Sequence, residues 1–496
     1  MKKLIFYSVL SVFALASCQK NMTNLNIDTK NPSSAPSYAL FTNGQKNLVD
    51  YITTPNVNSN IFQLVAQYWT EATYTDESNY NLGNRNIPQN FWNNLYVGAL
   101  NNFQQAKLLI PTDVTDPAVV KNELEITDIM EVYTYYYLVN TFGNIPYTQA
   151  NNINKYPFPA YDDAKTVYYD LLKRLDTCIN GLNTSAPSFG TADLIYGGNV
   201  AKWKTFANSL KLKMAMLIAD SDPATAKTKV NEAIAGGVFQ SNADNAVFVY
   251  TGITPNANPV WVNLIQSNRK DYVITKTLLN PMVALNDPRR SAYYTNQYSG
   301  SDVGGTVGVT NTWNNFSNPY FSPLTGTIVD PAAPSVLLDY AEISFLQAEA
   351  VERNFIAGSA ATFYNNGVTA SIEAWGGSAT DAATYLAQPS VAYATAPGGL
   401  GAGAIGSTGT NTSSVHWKQA IGLQQYIAYY MRGFDAWTSI RRLYYPAMAV
   451  PGNPQSAFPW RYTYPANEAT ANGPSYTAAV SAMGGDDVSI KLFWMQ

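Results

Sequence analysis

Histidine occurs once in this 496-residue chain, as His416, and cysteine twice, as Cys18 and Cys178. That scarcity nearly excludes a zinc or haem site built from His and Cys, because such sites gather several of these side chains. It also excludes any catalytic triad that needs a histidine other than His416. Charge is scarce too. Asp, Glu, Lys and Arg make up 13% of the chain, against about 25% in an ordinary soluble protein. The formal net charge of −4 gives no electrostatic reason to seek nucleic acid. Beyond the N-terminus no segment has the roughly 20 apolar residues that a membrane-spanning helix needs. In place of charge the chain carries 35 Tyr, 10 Trp and abundant Asn. Hydrophobic residues reach 46%. That supports a large core in a chain as long as about three average domains, a length that one large domain can also reach.

The chain opens Met1-Lys2-Lys3 and then runs apolar from Leu4 to Ala16. A basic start, a short apolar stretch and small residues before a break describe a secretory signal. Leu15-Ala16-Ser17-Cys18 resembles the bacterial lipobox, whose cysteine is acylated and becomes the first mature residue. We therefore expect a signal peptide over 1–17, a lipidated tether over 18–39 and a single large domain over 40–496. Lipid on Cys18 leaves Cys178 without a disulfide partner. Its place in a helical pattern, Asp176-Thr177-Cys178-Ile179, marks it as a small core residue.

Helical periodicity dominates the rest. Leu95, Ala99, Phe103, Ala106 and Ile110 share one face, as do Val167, Leu171, Leu175 and Ile179. Phe206, Leu210, Met214 and Leu217 repeat the pattern, with Lys204, Lys211 and Lys213 expected on the wet side. Ile343, Leu346 and Ala350 mark a later helix, and Ile421 to Met431 another that Gly433 breaks. The best strand signal is Ala246 to Tyr250. Ser299–Asn318 and Ala396–Ser414 read as long Gly-, Ser-, Thr- and Asn-rich loops, a kind of segment often given to function. The fold class expected is mainly α, with helix pairs of tetratricopeptide type and few short strands.

Six segments resemble the SusD/RagB family of nutrient-binding outer-membrane lipoproteins, in family order and across nearly all of the mature chain. Phe142-Gly143-Asn144-Ile145-Pro146-Tyr147 is similar to a family turn, and Trp203 to Leu210 to a helix start. Asn286-Asp287-Pro288-Arg289 and Glu342 to Ala350 match two further motifs. Gly433-Phe434-Asp435-Ala436-Trp437 through Arg441-Arg442, and Tyr464-Pro465 through Asn472, complete the set. The resemblance implies a helical scaffold whose remaining loops form a binding face. It also implies a non-catalytic, lipid-anchored protein at the outer membrane, facing the exterior. Such a protein captures oligosaccharides, or peptides in the RagB branch, and passes them to a SusC-type TonB-dependent transporter. No cofactor is implied.

Sugar recognition uses flat aromatic faces against C–H surfaces and planar polar groups against hydroxyls. Two segments have that mixture. Trp69 to Asn90 offers Trp69, Tyr74, Tyr80, Asn81, Asn84 and Arg85 as ligand contacts, with Asp76, Asn79 and Gln89 beside them. Tyr298 to Phe321 offers Tyr298, Trp313, Asn314 and Tyr320, behind glycines that could let the loop close over a ligand. Each segment also has a plainer reading, as a solvated loop whose aromatics pack back on the body. Trp203, Trp437 and Trp494 read as structural. Arg441 and Arg442 are expected to pair with carboxylates. Tyr133, Tyr135, Tyr136 and Tyr137 cover more than one helix face, so some should be buried and some should border a groove. A glycosidase needs two suitably spaced carboxylates. Glu342 and Glu349 lie seven apart on an apolar helix, which favours structural pairing. Asp162-Asp163 and Asp486-Asp487 lack calcium-loop spacing and read as helix starts or turns.

Overall fold

Apolar residues spaced three and four apart turn most of the chain into helices. A computed structural model describes residues 35–319, 330–397 and 414–495. The signal segment with Cys18, Tyr320 and most of the loop expected over 396–414 lie outside the described residues. The first half holds α1 (Ser37–Thr53), α2 (Asn101–Asp113), α3 (Pro117–Phe142), α4 (Ala164–Gly181), α5 (Val200–Leu217) and α6 (Pro223–Gly236). Later come α7 (Lys276–Ala284), α8 (Tyr340–Glu352), α9 (Ala360–Ala374) and α10 (Ala379–Leu386). The last are α11 (His416–Ala428), α12 (Gly433–Leu443) and α13 (Gly473–Met483). Sequence neighbours pack in pairs: α3 on α4, α5 on α6, α8 on α9, α11 on α12. This is the mainly helical, paired architecture that the periodicity predicts.

The sparse acids do local work at helix starts. Asp116, Asp163, Asp222 and Asp339 each accept a backbone N–H in the first turn of α3, α4, α6 and α8. Each such cap contributes about 1 kcal/mol. Asp162 accepts from the backbone of Tyr147 and Thr148 in the turn before α4. Asp486 accepts from Tyr464 and Arg461, and Asp487 from Ser489. Both acidic pairs thus hold turns or starts.

One buried apolar cluster runs from Phe41 to Met495. All the periodic apolar residues named above lie in it, as does Cys178. Burial pushes the Cys178 thiol well above its ordinary pKa. Two expectations fail here. Lys211 and Lys213 are buried, not on a wet face, because α5 is packed all round from Phe206 onward. Lys213 is tolerated because Asp435 at 2.5 Å and Glu342 at 3.0 Å neutralise it. Arg432 joins the same cluster, bonded to Asp435 and Glu342. Arg442 pairs with Glu349 as expected, but Arg441 meets no carboxylate among the described residues. It lies over the Trp437 ring and donates to the carbonyls of Asn140 and Trp460 at 2.9 and 2.8 Å.

Several motif residues close the scaffold. Gly143 ends α3 at φ 88°, where a Cβ would lie 2.5 Å from Met483. Arg289 ion-pairs with Asp287 at 2.6 Å and donates to Ser371 of α9 and Gln424 of α11. Trp203 donates its indole N–H to Asp193, and Trp437 to the Pro459 carbonyl.

The strands are short. β1 (Trp69–Glu71) pairs antiparallel with β3 (Tyr272–Ile274), placing Trp69 opposite Ile274. β2 (Ala246–Phe248), the strand signal read from sequence, pairs with β6 (Ser335–Leu338). β4 (Tyr294–Thr295) pairs with β5 (Asn318–Pro319).

Candidate ligand-binding site

The loop that follows β4 and the loop that follows β1 converge on one rim. The pairing of Thr295 with Asn318 brings the two ends of the 296–317 segment together. Ser317 then accepts the Val303 N–H and donates to Asn296, whose own amide donates to Asp302. Asn318 donates to the Trp313 carbonyl at 3.0 Å, which fixes the short helical turn Trp313–Asn315. This frame sets Tyr298 and Trp313 side by side. Their ring centroids are 4.7 Å apart and their planes meet at 54°. Tyr298 is 49% exposed, Trp313 is half-buried, and Asn314 and Asn315 are exposed. The Lys270 ammonium stands 4.9 Å from the Trp313 centroid and 5.9 Å from that of Tyr298. Two aromatic faces, a cation and two solvent-facing amides thus share one surface.

The other predicted segment supplies the floor and a further aromatic. Asn79 donates to the Gly308 carbonyl at 2.8 Å. Gly308 N–H in turn donates to the Thr70 hydroxyl, and Asn311 N–H to the Ala72 carbonyl at 2.8 Å. Ala72 N–H donates to Asp271, next to Lys270. Tyr74, two residues beyond Ala72 in the chain, is 77% exposed.

Gly305 and Gly308 serve packing. Gly305 is bonded on both sides, to Ile274 and Lys276. A Cβ there would lie 2.6 Å from Val273, and at Gly308, with φ 74°, 2.2 Å from Asn79. The loop expected to close over a ligand is therefore stitched to β3 and the β1 turn.

Other sequence candidates sit elsewhere. Trp69 is fully buried in β1 and donates its indole N–H to Tyr430 at 3.1 Å, so it is core and not a platform. Tyr80 is 2% exposed, in a left-handed conformation, with its hydroxyl accepting from Gln67. Asn81 caps its own turn by accepting from Gly83 and Asn84. Asn84 is exposed and reaches only Asp76, at 3.4 Å. Arg85 is spent on Glu77 at 2.6 Å. Tyr133, Tyr135, Tyr136 and Tyr137 are all buried, and Tyr137 lines a cavity. Lys270 was not read from the sequence. Its signal was the polar run Asn268-Arg269-Lys270-Asp271 ahead of a strand.

A carboxyl pair is buried at the end of β1. Glu71 accepts the Ser78 N–H at 2.9 Å and adjoins Glu77. Burial, reinforced by the Glu77 carboxylate, pushes the Glu71 carboxyl up to about 9, so it carries a proton at neutral pH. Among the described residues, no group of three His, Cys, Asp or Glu side chains is placed to hold a metal ion.

Comparison with known proteins sets this site in context. A family model described as starch-binding, associating with the outer membrane, matches residues 29–465. Solved structures align over nearly the whole chain. A chitin-binding protein shares 25% identity at a TM-score of 0.77, covering 92% of this chain and 99% of its own. A SusD homologue from Bacteroides uniformis shares 26% at 0.74, covering 92% and 99%. A chitin-binding SusD homologue from Flavobacterium johnsoniae shares 22% at 0.75, covering 92% and 98%. No curated protein matches the sequence.

Proposed function

The chain belongs to the SusD-like family of starch-binding proteins that associate with the outer membrane, and from that premise we propose that it is a non-catalytic oligosaccharide-capture protein. In this reading acylated Cys18 anchors it to the outer membrane facing the exterior, and a SusC-type TonB-dependent transporter receives its ligand. The observation that carries the ligand class is the Tyr298–Trp313 pair, open to solvent beside Asn314 and Lys270. Inclined rings suit the C–H faces of successive pyranoses, and the amides suit their hydroxyls. Each stacking contact contributes about 0.5–1.5 kcal/mol and each net hydrogen bond a similar amount. After the cost of association, a few of each give roughly micromolar to millimolar affinity, which suits capture followed by release.

The non-catalytic reading rests on where the candidate acids are spent. Glu342 is engaged by Lys213 and Arg432, and Glu349 by Arg353 and Arg442. His416 is exposed at the start of α11, beside Tyr393.

Calorimetry with malto- and chito-oligosaccharides, on native protein and on Trp313→Ala, tests the proposal. Native protein should bind at least one series and the variant none. Binding of peptides alone would move the ligand to the RagB class, and turnover of a bound glycan would end the non-catalytic reading.

A further inference from the structure

Away from the surface pair, a cavity of about 430 Å³ opens between the end of α1, the β2–β6 ladder, the end of α9 and the α11–α12 connection. No residue placed at the capture rim lines it. Its volume falls in the range of small-molecule pockets, about 300–1,000 Å³. Part of the wall is aromatic, from half-buried Trp375 and buried Tyr430, with centroids 5.8 Å apart. Tyr430 is held in advance, stacked on Tyr293 at 4.2 Å and donating to the Tyr293 carbonyl at 2.8 Å.

The polar part of the lining is also preset. Asn258 donates to the Ala333 carbonyl, and Asn245 accepts the Tyr340 N–H, so neither amide is free to turn. Ser335 is 7% exposed, and its hydroxyl faces that of buried Tyr250. A hydroxyl donates once and accepts twice, so Ser335 keeps capacity for a ligand hydroxyl.

Charge narrows the ligand. Among the described residues the only cation in the lining, Arg432, is held by Asp339 at 3.0 Å, Asp435 at 2.8 Å and Glu342. An anion would find no free positive charge and several carboxylates. A cation would have to compete with Arg432 for Asp339 and Asp435, which leaves it only Asp330, a carboxylate that accepts the Ala332 N–H. A neutral ring with hydroxyls meets neither penalty: its C–H face fits Trp375 and its hydroxyls fit Ser335 and the amides.

We propose that this cavity is a second ligand site that takes one small neutral polyhydroxylated ring, of monosaccharide kind, independently of the surface pair. Saturation-transfer NMR and calorimetry with glucose, galactose and N-acetylglucosamine at millimolar concentration test it. The variants are Ala374→Trp, Ser335→Ala and Trp313→Ala. Ala374 is an exposed residue of the lining, so a bulky ring there should block the cavity without disturbing the core. Native protein should bind one of these sugars, Ala374→Trp should abolish binding, and Ser335→Ala should weaken it by about tenfold. Trp313→Ala should leave it unchanged. Absence of monosaccharide binding to native protein would overturn the proposal. So would binding that survives Ala374→Trp, or binding lost only in Trp313→Ala, which would return the sugar to the surface pair. Should Ala374→Trp fail to fold, undiminished binding by Ser335→Ala overturns it equally.

Discussion

Burial separates aromatics that look alike in sequence. Trp69 and Trp313 both stand in polar, Asn-rich stretches, and both resemble platforms. Trp69 faces inward because Trp69 pairs with Ile274 across some two hundred residues, a contact that no local pattern announces. Tyr80 turns inward for a similar reason, bonded to Gln67 and set edge-on to Phe458. Truncating a buried aromatic to alanine costs about 3–5 kcal/mol. Trp69→Ala should therefore lower the melting temperature by several degrees, whereas Trp313→Ala should leave it nearly unmoved; thermal denaturation of the two variants checks this. Glu71 gives a second test at this scale. Its carboxyl titrates near 9 in the fold and at its ordinary 4.5 in the unfolded chain. Between those values the folded state keeps a proton that the unfolded state has released. Its contribution is therefore fully present below about 4.5 and is lost as pH rises toward about 9. Glu71→Gln mimics the protonated form and removes this slope. Its melting temperature should exceed that of native protein at the upper end of the window and converge with it in acid.

Elements were legible where periodicity alone decides them. The faces of α4 and α5 follow the apolar spacing, and β2 follows its run of β-branched and aromatic residues. The lysines of α5 were misread because an amphipathic pattern does not show what packs on its polar side. There α12 brings Asp435, and α8 brings Glu342. Removing one member of a buried pair costs about 3–5 kcal/mol, since the remaining charge is stranded. Asp435→Ala should thus destabilise the fold by that order in chemical denaturation, and pairing it with Lys213→Met should recover part of the loss. The Gly-rich loop holds contacts that its sequence does not announce. Glycine permits motion, but here it permits contact: Gly305 sits against Val273, and Gly308 against Asn79 at positive φ. Gly308→Ala should speed hydrogen exchange in residues 303–311 and weaken glycan binding, because the same loop carries Trp313. Unchanged exchange would show that the contact is not what orders it.

At the scale of the whole molecule, the shortage of charge acquires a structural meaning. Many carboxylates cap helices or neutralise buried Lys and Arg, and the buried tyrosines fill the interior. The candidate rim then presents aromatic rings and amides beside one cation, Lys270. Fold class was readable because helix pairing repeats along the chain, whereas the site depends on loops joined through Asn79, Gly308 and Asn311, far apart in sequence. Membrane association poses a separate question, because no helix among the described residues is long and apolar enough to cross a bilayer. We propose lipid on Cys18 as what holds the protein at the outer membrane, with a membrane-embedded partner as the alternative. The two differ in what a single substitution does. With lipid as the anchor, Cys18→Ala produced in a Gram-negative host should leave the membrane pellet and appear in the soluble fraction, because acyl burial supplies the affinity. Its sugar binding in solution should equal that of native protein, since the rim at Tyr298 and Trp313 lies in the folded body. Retention of Cys18→Ala in the membrane only when a transporter is co-expressed would assign the anchor to that partner instead, and would place the tether's role in positioning rather than attachment.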